Sequence, residues 1–103
     1  MEENLDFDLN LDFEIPNIEL QETTVGNLAG ERMGCGNIYK GSYDLPDGKK
    51  AENWVCELVP ASTEIRFTVG KGSIFEINEK RFEIINILPK QESKRGKVII
   101  KEL

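Results

Sequence analysis

Apolar and polar residues alternate without interruption from Leu5 to Ile15. The apolar positions share one parity: Leu5, Phe7, Leu9, Leu11, Phe13 and Ile15. The other parity holds Asp6, Asp8, Asn10, Asp12 and Glu14. Because successive side chains of a β-strand point to opposite faces, the pattern predicts a strand with one apolar face and one acidic face.

The apolar parity changes after Pro16, since Ile18 and Leu20 are even-numbered. Proline lacks a backbone N–H and favours strand ends, so we expect a bend there and a second strand over about residues 17–24. Glycines then follow one another closely at Gly26, Gly30, Gly34 and Gly36. They predict a loop or a sharply bent passage, in which residues 28–33 form a short helical turn.

The remainder of the chain reads as six further strands separated by turns. They are expected at residues 38–44, 51–59, 64–69, 73–77, 81–88 and 97–103. Trp54, Cys56 and Leu58 share one face of their strand, and Ile65 alternates with polar neighbours as an inward position. Residues 81–88 are apolar on both parities, which predicts a central or doubly covered strand.

Short strands with turns every eight to twelve residues are typical of all-β folds. The sequence therefore predicts a small antiparallel β-sandwich or partly open barrel of about seven or eight strands. The C-terminal half is expected to form a meander, because its strands follow one another through short turns. A chain of 103 residues is expected to form one domain. We divide it into an acidic N-terminal strand region, residues 1–24, and a β-sheet body, residues 25–103.

The negative charge is concentrated in the N-terminal strand region. Residues 1–24 hold eight acidic residues and no basic one, whereas residues 25–103 hold eleven acidic and thirteen basic residues. The net charge of −6 is thus the sum of −8 in residues 1–24 and +2 in residues 25–103. This asymmetry favours a basic protein partner and disfavours direct binding to nucleic acid.

Composition argues against a membrane protein, and no group of residues in the sequence is typical of a catalytic site. No apolar run approaches the roughly 20 residues of a membrane span. The N-terminus lacks the layout of a signal peptide, so a cytoplasmic location is expected. The chain has no histidine, which excludes Ser-His and Cys-His nucleophile pairs. We therefore predict a protein that is not an enzyme and needs no cofactor.

Metal binding is also not expected. Zinc sites need clustered Cys and His, and the two cysteines, Cys35 and Cys56, are far apart in sequence. Neighbouring carboxylates on one face of a strand stand roughly 6–7 Å apart, too far to share a calcium ion without a loop. The two cysteines are expected to be buried free thiols, although a bridge is open to them if their strands pair.

Seven residues are the candidates for partner binding: Asp6, Asp8, Asp12, Glu14, Tyr39, Tyr43 and Trp54. The four acids would attract a basic site, and Tyr and Trp are common binding hot spots. Each has a simpler alternative. Charge on an exposed strand discourages aggregation, and in a small β domain Tyr and Trp are often core residues.

Residues 67–77, continued by residues 81–87, combine a strand, a Gly-x-Gly turn, a short strand, a tight turn and another strand. This pattern resembles small all-β bacterial immunity proteins of polymorphic toxin systems and their uncharacterised relatives. The resemblance covers about a quarter of the chain and carries over no functional residue. It implies a non-catalytic, single-domain protein that inhibits a toxin by occupying its active site.

Three functions follow as hypotheses. The first is a cytoplasmic immunity protein that neutralises a cognate toxin by direct binding. The second is a phage-type antagonist or DNA mimic that blocks a nucleic-acid enzyme, and that should compete with DNA for many basic proteins. The third is a structural subunit in which residues 5–15 add a strand to a neighbour's sheet.

Overall fold

A computed structural model describes residues 17–103 as eight antiparallel β-strands. They are β1 (Ile18–Gln21), β2 (Thr24–Leu28), β3 (Glu31–Asp44), β4 (Lys50–Pro60), β5 (Phe67–Gly70), β6 (Ile74–Ile77), β7 (Lys80–Leu88) and β8 (Lys97–Glu102). Two four-stranded sheets pack together, with strand orders β1-β8-β7-β6 and β2-β3-β4-β5. The predicted all-β class is confirmed, and the architecture is a β-sandwich that is not closed into a barrel.

The chain passes between the two sheets at two places. It crosses from β1 to β2 at Glu22 and Thr23, and from β5 to β6 through residues 71–73. Strands β2 to β5 form a meander in one sheet, while β6 to β8 form a meander in the other. β1 joins the sheet of β6, β7 and β8 by pairing with β8, where Ile18 lies opposite Ile100.

The loop and helical turn predicted between residues 24 and 36 are wrong, because this segment forms β2 and the start of β3. Ala29 and Gly30 both have positive φ, 55° and 83°, and Leu28 pairs with Glu31. Two consecutive positive φ values make the two-residue turn that matches the twist of a hairpin. A Cβ on Gly26 would overlap Leu20, so this glycine marks a close approach of two strands.

The strand predicted over residues 64–69 begins only at Phe67. Ile65, expected to point inward, is 72% exposed, so that prediction is wrong. The reason is local: Glu64 has a φ of 60°, and its N–H donates to the carbonyl of Pro60. A left-handed residue interrupts the extended backbone, and the alternation of Ile65 therefore does not belong to a strand.

The interior position predicted for residues 81–88 is confirmed, since β7 lies between β6 and β8. Its apolar residues on both parities have a specific cause. The register with β8 shifts between Ile84 and Asn86, which leaves Ile85 as the extra residue of a bulge. The bulge brings Ile87 as well as Ile84 to the buried side of the sheet.

The core lies between the sheets and draws on both. Its buried apolar residues are Leu20, Leu28, Met33, Cys35, Cys56, Leu58, Val69, Phe82, Ile84, Ile87, Val98 and Ile100. Phe75 joins the two sheets at the side where the chain crosses from β5 to β6. Its ring centroid lies 5.3 Å from that of Phe67 and 5.7 Å from that of Phe82.

The predicted strand at residues 5–15 lies outside the described residues, as do Asp6, Asp8, Asp12 and Glu14. Within residues 17–103, no helix has the length and hydrophobicity needed to cross a membrane.

Candidate protein-binding surface

The hairpin of β3 and β4 extends well beyond the strands beside it. β2 pairs with β3 only up to Cys35, and β5 pairs with β4 only from Val55 onward. Within the described part of the chain, residues 40–44 and 50–54 therefore pair only with each other. We call residues 40–54 the distal hairpin. The turn Leu45-Pro46-Asp47-Gly48 closes it, where Pro46 restricts φ and Gly48 adopts a φ of 89°.

One face of β3 carries Tyr39 and Tyr43, which differ sharply in exposure. Tyr43 is 7% exposed, and its hydroxyl donates to the carbonyl of Lys71 at 2.7 Å. Its ring lies over Gly70, where a Cβ would overlap it. Tyr39 is 45% exposed and lies opposite Val55 at the base of the distal hairpin. Tyr39 is thus free to contact a partner, whereas Tyr43 fixes the hairpin against the β5–β6 connection.

Trp54 lies on the opposite face. It pairs directly with Lys40, and the Lys40 ammonium lies 4.9 Å from the centroid of the Trp54 ring. Trp54 is half-buried and packs at the margin of the core. A cation over the face of an indole is attracted by the ring, so Lys40 covers part of the surface that Trp54 would offer to a partner. Cys56 and Leu58 follow on the same side of β4, as predicted, and are fully buried.

Charged side chains lie next to the exposed tyrosine. Tyr39, Arg66 and Glu57 line one shallow hollow beside the bulge of β3. The Arg66 guanidinium donates to the Glu57 carboxylate at 3.1 Å. An aromatic ring beside an arginine is a combination enriched at the centres of protein interfaces. This hollow is the best candidate contact surface among the described residues.

The part of the chain that the structure describes is electrically balanced, unlike the sixteen residues that precede it. Residues 17–103 hold thirteen acidic and thirteen basic residues, and residues 1–16 hold six acidic residues and no basic one. The entire net charge of −6 therefore belongs to residues 1–16. The candidate acids Asp6, Asp8, Asp12 and Glu14 make up most of it.

A buried carboxylate lies next to the bulge of β3, and sequence reasoning missed it. Glu22 is 8% exposed and lies where the chain crosses between the sheets. Its carboxylate accepts the N–H of Ile38 at 3.1 Å and the N–H of Gly96 at 2.9 Å. Its own N–H donates to the carbonyl of Gly96 at 2.9 Å. In the sequence Glu22 is one more acid of the N-terminal region, and nothing in its neighbours distinguishes it.

The two cysteines meet at the same place. β3 has a bulge between Cys35 and Ile38, and Cys56 pairs with Ile38 across the hairpin. Both cysteines are buried, as predicted, and their sulfur atoms lie 3.2 Å apart as free thiols. The hydrogen bond between them raises the pKa of the Cys35 thiol, and burial and the nearby carboxylate of Glu22 raise it further.

Over residues 17–103, no group of three or more Cys, Asp or Glu side chains is placed to hold a metal ion.

No family model matches the chain, and no match was found among the curated proteins or the solved structures.

Proposed function

We propose that this chain is a non-catalytic protein that binds a basic protein partner, and that it acts in the cytoplasm as an immunity protein neutralising a cognate toxin. The observation that carries the proposal is the separation of charge. Residues 17–103 are balanced in charge, and they follow sixteen residues that hold the whole net charge of −6. A charge concentrated in one short segment attracts an oppositely charged surface and speeds association with it.

The four acids at positions 6, 8, 12 and 14 supply the attraction in this proposal. They share one parity of an alternating segment, so in an extended conformation they present a single acidic face. Enzymes that act on nucleic acids or on phosphorylated cofactors bind their substrates with basic clefts. A toxin of that class therefore offers the complementary surface.

Tyr39 supplies the anchoring contact on the sheet body. It is the exposed member of the three aromatic candidates, and the Arg66–Glu57 pair lies beside it. Steering charges change mainly the rate of association, whereas buried aromatic contacts change mainly the rate of dissociation. The two sets of residues are therefore separable by kinetics.

The first experiment is affinity capture of the tagged full chain from a lysate of its own host, washed at low and at moderate salt. We expect one basic protein in near-equal amount. Asp6→Lys with Asp8→Lys should lose it, while the matched reversal Glu76→Lys with Glu79→Lys, on exposed acids of the sheet body, should retain it. Equal recovery by both reversed chains would refute the role of the acidic segment.

The second experiment tests immunity itself. The gene of the captured protein is expressed in a host that lacks this chain, with and without co-expression of the chain. We expect growth to stop without the chain and to continue with it. A captured protein that is harmless in both cases would rule out the immunity function. Capture of many DNA-binding proteins that wash off at moderate salt would instead support the DNA mimic.

Assembly by strand addition is the second candidate, and the sheet edges favour it. β1, β2, β5 and β6 each have a partner on one side only among the described residues, so each sheet exposes unpaired backbone groups. In that case deletion of residues 1–16 should abolish a larger assembly, as measured by light scattering. Neutralising the acids with Asn and Gln should leave the assembly intact.

A further inference from the structure

We propose that Cys35 and Cys56 are an oxidation site at which the chain forms one intramolecular disulfide between β3 and β4. This site is independent of the acidic segment and of the proposed partner.

The two thiols lie in contact, and the chain has no other cysteine that could bond to either of them. Their sulfur atoms are 3.2 Å apart, and a disulfide bond is about 2.05 Å long, so closure requires a movement of about 1 Å. Cys35 and Cys56 are the only two cysteines in the chain. They are 3% and 0% exposed, which favours reaction within one chain over reaction between chains.

The position of the pair determines which part of the fold the disulfide would constrain. The cysteines are 21 positions apart, and the segment between them holds the whole distal hairpin and also Tyr39. A bond at this place joins the two strands at the base of the hairpin, next to the bulge of β3. It also lies beside the Glu22 carboxylate, which holds Ile38 on the far side of that bulge.

The reaction is thiol–disulfide exchange with a small disulfide such as oxidised glutathione. One cysteine, as thiolate, attacks a sulfur of the small disulfide, which forms a mixed disulfide and releases one small thiolate. The second cysteine then attacks the protein sulfur of that mixed disulfide and releases the second small thiolate. The two protons lost by the cysteines are taken up by the two released thiolates, which become thiols. The protein loses two electrons, and the small disulfide gains them.

Burial decides how the experiment must be made. A small disulfide reaches these sulfurs only when the base of the hairpin opens locally, so oxidation of the folded chain is slow. The equilibrium is therefore approached from two sides, by incubating the reduced folded chain and by refolding the denatured chain in the same glutathione buffer. A third sample stays in denaturant with the same buffer. Thiols are trapped with a maleimide after acid quench, and the adducts are counted by intact mass.

We expect both folded samples to reach the same fraction of chains with no maleimide adduct. The equilibrium constant for disulfide formation should be on the order of 100-fold larger in the folded chain than in denaturant. Thermodynamic linkage requires this, because the factor by which folding favours the bond equals the factor by which the bond favours folding. The oxidised chain should melt about 10 °C higher than the reduced chain.

Cys35→Ala and Cys56→Ala serve as matched controls, and neither should form an intramolecular bond. An equilibrium constant for the folded wild-type chain that is no larger than in denaturant would overturn the proposal. Disulfides that form only between chains would overturn it as well.

Discussion

Replacement of Glu22 with Gln should destabilise the protein strongly, although the two side chains have nearly the same size and shape. The carboxylate accepts two backbone N–H groups, those of Ile38 and Gly96, at 3.1 and 2.9 Å. A Gln side chain has one oxygen and presents its NH2 group to the second N–H. One buried N–H then loses its acceptor and faces another donor.

The magnitude follows from these two contacts. A hydrogen bond to a charged group contributes about 1.5–3 kcal/mol, and a buried donor left without an acceptor costs a similar amount. We therefore expect Glu22→Gln to lower the free energy of unfolding by about 2–3 kcal/mol. Glu22→Ala, which leaves both N–H groups without this acceptor, should lower it by about 3–5 kcal/mol.

Urea denaturation followed by tryptophan fluorescence measures both changes, since the chain holds one Trp. Glu19→Gln is the matched control, because Glu19 lies three positions away, is exposed, and contacts Lys97 at 3.4 Å. An exposed ion pair is worth little, so we expect a change below about 0.5 kcal/mol. If Glu22→Gln were as stable as Glu19→Gln, the carboxylate would not hold the bulge of β3 to the end of the β7–β8 loop.

Three further predictions concern single positions. Gly70→Ala should lower the free energy of unfolding by about 1–3 kcal/mol, because the new Cβ displaces the Tyr43 ring; wild-type stability in urea would contradict this packing. Glu79→Gly should raise the free energy of unfolding by up to about 1 kcal/mol, because Asn78 and Glu79 have φ of 51° and 69° in the β6–β7 turn and glycine adopts a positive φ without strain. An unchanged melting temperature would count against that turn. Tyr39→Ala should cost less than about 1 kcal/mol of stability but weaken binding to the captured partner by about tenfold or more in calorimetry; undiminished affinity would remove Tyr39 from the contact surface.

Alternation of apolar residues was enough to predict the all-β class and most of the strands after residue 36. Val98 and Ile100 show why: both are buried, and the residues between and around them face the other side of β8. A period of two is imposed by the backbone itself, so it is visible wherever one face of a strand is covered.

The errors arose where the backbone conformation depends on a packing contact or a left-handed residue and not on the alternation of apolar positions. Gly26 looked like a loop residue, yet it fits a strand because Leu20 of the other sheet lies against it. Ile65 looked like a core residue, yet the left-handed conformation of Glu64 removes it from the strand. Neither cause can be read from local periodicity.

The same distinction applies to the candidate site. Tyr39, Tyr43 and Trp54 were indistinguishable in sequence. Contacts with Gly70 and Lys71 bury Tyr43, and Lys40 lies over Trp54, so Tyr39 is the exposed ring of the three. Glu22 went unnoticed because its partners, Ile38 and Gly96, lie 16 and 74 positions away. The role of the acidic residues at positions 6–14 stays a prediction.

The central proposal is that the chain neutralises its partner by occupying the partner's active site, without catalysis. The most direct test is to titrate the activity of the captured partner with increasing amounts of the purified chain, at a partner concentration well above the dissociation constant. The proposal predicts a linear loss of activity that reaches completion at one chain per partner. Complete loss at a small fraction of one equivalent would show catalytic inactivation, and undiminished activity with excess chain would show that the chain is not an inhibitor.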